Sequence, residues 1–205
     1  GFPLREMTET ERDITWDLVA SGLGERGLRQ AQDVIRLEEV LYERSERSDF
    51  RDPDQYLISI FGAPGSLGRW GWRFEGHHVS LNYTLVDGRM VGPTPLFFGS
   101  NPAEVRHGEC DGLRALKAEE DLGRQLLHEL DGSQKAVAVV SNEAPGDILT
   151  TNVPYVRGEV EPEGLGSVEM TAAQRDILNA LVEVYVRRMR EAVAEAEWGR
   201  LGGDR

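Results

Sequence analysis

The chain contains a single cysteine, Cys110, so no internal disulfide can form, and a reducing, cytoplasmic setting is expected. Positive charge is also scarce. Lys and Arg number 23 against 36 Asp and Glu, a formal net charge of −13. A field of that sign repels phosphate backbones, and the densest basic stretch, Arg187–Arg190, is flanked by glutamates. Nucleic acid is therefore not an expected partner. Long apolar runs are missing too: none approaches the roughly 20 residues that a membrane-spanning helix needs. Gly1–Met7 has neither the basic lead nor the apolar middle of a signal peptide, so no membrane partner is expected. Lysine itself is nearly absent, with only Lys117 and Lys135. That arginine bias reads as GC-rich coding and a bacterial source.

The residues present suffice for a core of their own: 40% of the 205 are in the apolar set and 29% are charged. Thr8 and Glu11 have capping-box spacing, opening a helix that stops at Gly22. A second helix is predicted from about Glu25 to Ser45, with Leu28, Ala31, Val34, Ile35, Leu37, Leu41 and Tyr42 along one stripe. Residues 55–98 change character. Tyr56–Phe61 has a buried-strand pattern, Asp87-Gly88 is a turn dipeptide, and Pro93 and Pro95 confine the last strand to an edge.

Leu113–Leu130 predicts a helix with Leu116, Leu122, Leu126 and Leu127 inward, while Gln134–Val140 fits helix and strand alike. Residues 142–168 lack a period, and a second capping box, Thr171 with Gln174, opens a long helix over 171–198. The whole reads as a single α+β domain over 1–205. Its expected architecture is an antiparallel meander of about four strands with helices packed on one face. The segments are helical over 1–50, β-meander over 55–98, helical over 111–140, loop over 142–168 and long helix over 171–198.

The stretch Trp70–Tyr83, WGWRFEGHHVSLNY, sorts into two faces if Gly76-His77 is a two-residue turn. Glu75 then lies opposite His78, Phe74 opposite Val79, Arg73 opposite Ser80, Trp72 opposite Leu81 and Gly71 opposite Asn82. One face carries Trp70, Trp72, Phe74, Val79, Leu81 and Tyr83, and the other Arg73, Glu75, His78, Ser80, Asn82 and Thr84. A one-residue slip would mix them. On the polar face a Glu75–His78 pair has the chemistry of a general acid–base dyad. Arg73 and Asn82 are suited to orienting a substrate, and Gly71 leaves room for one. The same pairs are also ordinary features of a half-exposed sheet.

Two adjacent histidines and a carboxylate also suit a transition metal such as Zn, Fe or Cu, provided the strand bends there, as a Gly-His turn would make it do. His77 and His78 are then the ligands, and Glu75 a ligand or general base. His107 and Cys110 form a second, weaker pair just before a helix. Glu143 and Asp147, followed by Thr150–Asn152, lie on an acidic loop, and Phe97-Phe98 reads as core. No Lys-Ser/Thr ends Gly62–Gly68, so that glycine-rich stretch is a turn and not a phosphate cradle.

The block WGWRFEGHHVSLNY, followed by TPLFFGSNP at Thr94–Pro102, resembles the uncharacterised family "domain of unknown function 3500". Gly112–Leu116, Glu119–Leu122 and SNEAPGDIL at Ser141–Leu149 are similar to its later blocks, and the likeness runs from about Leu4 to Ala194. The resemblance implies no particular reaction. It also implies members longer at both ends, with a further histidine-containing segment after the last helix that would complete a site of which this chain holds part. It marks Arg73, Glu75, His77, His78 and Asn82 as positions to watch.

Three readings stay open. The first is a metal-dependent enzyme, hydrolytic or oxidative, acting on a small polar or anionic molecule with Glu75, Arg73 and Asn82 at the chemistry and His77 and His78 on the metal. The second is a non-catalytic binding or assembly protein, including a homo-oligomer. The third is a metal-free acid–base enzyme using Glu75 and His78.

Overall fold

The computed structural model describes residues 1–46, 48–148, 153, 155, 158 and 163–202. It is an α+β structure whose antiparallel sheet runs β1(Phe2–Pro3), β2(Leu57–Gly62), β3(Arg69–Glu75), β4(Val79–Val86), β5(Arg89–Gly92), with β6(Leu96–Phe98) also pairing β4. The meander is thus present, with β1 added at one edge. The segment expected as one last strand is divided in two between Gly92 and Leu96, where Pro93 and Pro95 cannot donate ladder bonds.

Contacts divide the chain into two compact units, Gly1–Lys117 with Glu183–Arg205, and Ala118–Val182. In the first, α1(Glu9–Gly22) starts with the expected capping box. Glu11 N–H donates to Thr8 Oγ1 at 3.4 Å and Thr8 N–H donates to Glu11 Oε2 at 2.8 Å. Helix α2(Glu25–Arg44) buries Gly27, Gln30, Ala31, Val34, Leu37 and Glu38, a spacing of three and four that lays one face on the sheet. Ala31, Val34 and Leu37 of that face share one buried cluster with Trp72, Phe74, Val79, Leu81 and Tyr83. Trp72 stacks on its cross-strand neighbour Tyr83 with ring centroids 4.3 Å apart, and Phe74 meets both Trp16 and Tyr56. Aromatic burial of this kind supplies much of the drive to fold, about 2–3 kcal/mol per side chain.

The helix expected over 171–198 is interrupted. It forms as α5(Ala172–Val186) and α6(Glu191–Arg200). Between them Arg188 O accepts Gly24 N–H at 2.8 Å, Leu23 bridges Met189, and Arg190 N–H donates to Gly22 O at 3.3 Å. The backbone at 188–190 thus bonds to the α1–α2 corner, while the N–H groups of Arg188 and Met189 donate in tighter turns to Tyr185 O and Val186 O. The buried Arg188 side chain donates Nε–H to Gln30 Oε1 at 2.8 Å and lies over the rings of Phe98 and Tyr185. Helical periodicity cannot reveal such a tertiary competitor.

The second unit holds α3(Lys117–Glu129) from Ala118 onward, α4(Gly132–Ala138) and α5 as far as Val182. The ambiguous stretch after Gln134 is therefore helical through Ala138. The buried Gln174 ties three elements together. It closes the expected capping box with Thr171, donates to Glu129 O at 2.8 Å, and exchanges amide hydrogen bonds with Gln134. Of the leucines expected inward on α3, Leu127 is 42% exposed. The predicted loop over 142–168 lies partly outside the described residues, Thr150–Asn152 wholly so.

A candidate acid–base site at the histidine turn

The β3–β4 hairpin differs from the expected register by two residues. Glu75 faces Ser80, Phe74 faces Leu81, Arg73 faces Asn82, Trp72 faces Tyr83 and Gly71 faces Thr84. Because the side-chain period is two, this shift keeps every strand residue on its expected face. It moves the histidines, however. Gly76 N–H donates to Val79 O at 2.8 Å, so His77 and His78 are the two residues of the turn and Gly76 ends the ladder. Gly76 is required for space: a Cβ there would stand 2.5 Å from the ring of Tyr56.

Tyr56 belongs to the core, and its hydroxyl accepts the His78 N–H at 3.3 Å. The carbonyl of His78 accepts Gly99 N–H at 2.7 Å, and a Cβ on Gly99 would lie 3.0 Å from His78 Cδ2. Backbone and ring are thereby held. The ring turns not to the outer sheet face but toward α2, where its Nδ1 is hydrogen-bonded with Glu38 Oε1. The expected Glu75–His78 pair is not formed.

Glu38 is 1% exposed. A carboxylate so buried must be paired or pay heavily in lost solvation. Oε1 has the imidazole. Oε2 has no hydrogen-bond partner among the described residues, and Arg51 Nη1 stands 3.8 Å from it. The His77 ring lies edge-on to that of His78 with centroids 4.3 Å apart. Burial lowers the His77 pKa below its ordinary value, helped by His78 and Arg51 and opposed by Glu38. Burial likewise raises the Tyr56 phenol, so it keeps its proton. Glu38, Asp52, Gln55, Tyr56, Gly76 and His77 enclose a cavity of about 220 Å³, room for a small ligand and more than one water.

The other expected site residues are together but elsewhere, on the opposite sheet face. Arg73 pairs with Glu75 at 2.7 Å and lies over the half-exposed Phe61 ring. Asn82 stands across from Arg73 and donates to Ser80 Oγ and to Pro95 O at 3.1 and 2.9 Å. Gly71, opposite Thr84 rather than Asn82, floors a shallow hollow lined also by Phe61, Asn82 and Pro95. Cys110 Sγ lies 3.6 Å from Arg36 Nη2, in a hollow it shares with His107. Phe98 is core, as expected, while Phe97 lies opposite Ser80. Glu143 and Asp147 are exposed on their loop. Among the described residues, no three His, Cys, Asp or Glu side chains group as metal ligands would.

With this geometry in view, comparison with known proteins found one family. The sequence model described as "Protein of unknown function (DUF3500)" matches residues 1–203 of the 205. The chain belongs to that family. A search of curated proteins found no match, and neither did a search of solved structures.

In this DUF3500 chain, sequence reasoning missed Glu38, Tyr56 and Arg51. One signal was there to find. Glu38 stands four residues after Val34, three after Ile35 and three before Leu41, in the middle of the apolar stripe of α2. A charge at a core-facing helical position implies a partner reaching it from elsewhere in the fold. Nothing in the local sequence could name that partner as His78, 40 residues on.

Proposed function

We propose that the chain is an acid–base enzyme that moves a proton on a small polar substrate at the histidine turn, without needing a metal ion. The observation that carries this reading is His78 Nδ1 bonded to a buried carboxylate at the rim of a cavity that also holds His77. A carboxylate on Nδ1 fixes the tautomer, so Nε2 presents the lone pair, and it stabilises the imidazolium formed when that nitrogen accepts a proton. Glu38 is therefore a positioning residue for His78. Neutral His77 is a second proton acceptor at the cavity wall, and protonated Tyr56 holds the turn through its bond to His78 N–H. Arg73, Glu75 and Asn82 have no part in this reading.

A metal-dependent reading, with Zn, Fe or Cu on His77 and His78, keeps one supporting observation: the two rings converge. It needs further ligands, and none groups with the pair among the described residues. One experiment separates the two. Turnover of a panel of small esters, amides, lactones and amino or hydroxy acids is measured for the parent, the chelator-treated parent and the His78→Ala and Glu38→Gln variants. Turnover that survives chelation and falls by about 10²–10⁴ in His78→Ala supports proton transfer by His78. Turnover lost on chelation and restored by one metal would establish the metal reading in its place, and turnover indifferent to His78→Ala would remove both.

A further inference from the structure

The cavity beneath the histidine turn presents chiefly hydrogen-bond acceptors. Among the described residues Glu38 Oε2, on a side chain 1% exposed, has no hydrogen-bond partner, and Arg51 Nη1 at 3.8 Å is beyond hydrogen-bond reach of it. Asp52 directs Oδ1 to its own backbone, accepting Asp54 N–H at 2.9 Å, and carries a second carboxylate oxygen. Gln55 donates its side-chain N–H to Asp49 O, which leaves its amide oxygen to accept. Of the residues lining the cavity, Glu38 and Asp52 bring carboxylates and none is a lysine or arginine, while the Arg51 guanidinium stands 3.8 Å from Glu38 Oε2. An anion entering here would meet Glu38 in a poorly solvated position and lose more solvation than it regained. A donor with a single positive charge would satisfy the orphaned oxygen.

We infer that this cavity binds a small primary ammonium group, which donates N–H to Glu38 Oε2 and to the Asp52 carboxylate. The inference deepens the acid–base reading of the same site by making an amine the substrate class, and it replaces the anionic substrate expected when Arg73 was counted in the site.

The test reads binding and not turnover. The full chain, isotope-labelled, is titrated by NMR with propylammonium, with propanol and with propionate at matched ionic strength. Propylammonium is expected to shift the Gly76, His77 and His78 signals saturably. Propanol and propionate should bind at least about tenfold more weakly, and Glu38→Gln should weaken propylammonium by a similar factor, as loss of a charged hydrogen bond implies. Asp52→Asn, a change at a half-exposed position, should weaken it too and serves if Glu38→Gln does not fold. Propionate binding as tightly as propylammonium, no saturable shift at these residues, or full affinity in the variants overturns the inference. If propylammonium fails while turnover still depends on His78, only the amine class falls. If propylammonium binds while turnover ignores His78→Ala, only the catalytic role falls.

Discussion

Replacing His78 with alanine should destabilise the protein by far more than its contact area suggests. The histidine side chain is 16% exposed, but its partner Glu38 is 1% exposed and, among the described residues, rests on it for its one hydrogen bond, at Oε1. Breaking a buried charged pair by removing one member typically costs about 3–5 kcal/mol, because the other charge is left without compensation. Arg51, 3.8 Å away, attracts Glu38 by something on the order of 4 kcal/mol at an effective dielectric of about 20. That attraction is present in parent and variant alike, so it lets the variant fold without lessening the difference. The loss for His78→Ala should therefore be about 3 kcal/mol or more. Glu38→Leu, which strands a 16% exposed imidazole and takes a carboxylate from beside the partly exposed Arg51, should cost less, about 1 kcal/mol. The double variant Glu38→Leu/His78→Ala should be more stable than His78→Ala alone by about 2 kcal/mol, since the buried carboxylate is gone with its imidazole. Urea unfolding at pH 7, followed by the fluorescence of the core tryptophan Trp72, measures all three. A cost under about 1 kcal/mol for His78→Ala, or no recovery in the double variant, would refute the view that Glu38 depends on this imidazole.

Gly76→Ala drives a methyl to 2.5 Å from the Tyr56 ring and should cost about 1–3 kcal/mol of strain, seen as a lower melting temperature. Glycine turn preference alone would predict a smaller loss. The His77 imidazole should titrate below its ordinary midpoint of about 6.5 by NMR. The unfolded chain then holds more protons between the two values, so this group's contribution is full above about pH 6.5 and is lost as pH falls through the lowered pKa. The groups facing it are His78, Glu38 and Arg51, and His77→Gln should flatten that part of the stability–pH curve; a midpoint above 6.5 would overturn the account. Arg73→Ala removes a half-exposed ion pair with Glu75 and should change stability by less than about 1 kcal/mol in the same urea assay. A larger loss would mean that the outer sheet face is structurally committed.

Much of the fold was legible because its signals are local. The capping boxes of α1 and α5 are satisfied within four residues of chain, and the α2 stripe follows from 3.6 residues per turn. The buried and polar faces of the β3–β4 hairpin follow from alternation alone, which is why they survive an error of two in register. That same invariance is why alternation could not choose between the two registers. Tertiary packing chose, since Tyr56 lies against Gly76, β2 and β6 hold β3 and β4 from either side, and the turn is thereby moved to His77-His78.

The candidate site shows the same division. Alternation and turn residues marked the histidine pair as chemically loaded. The partner of His78, however, comes from α2, and the break between α5 and α6 comes from hydrogen bonds between 188–190 and 22–24. Local sequence determines which face of an element is apolar, because that depends on neighbours a few residues away. Which charge meets which imidazole depends on how those faces are stacked, and only the tertiary structure decides that.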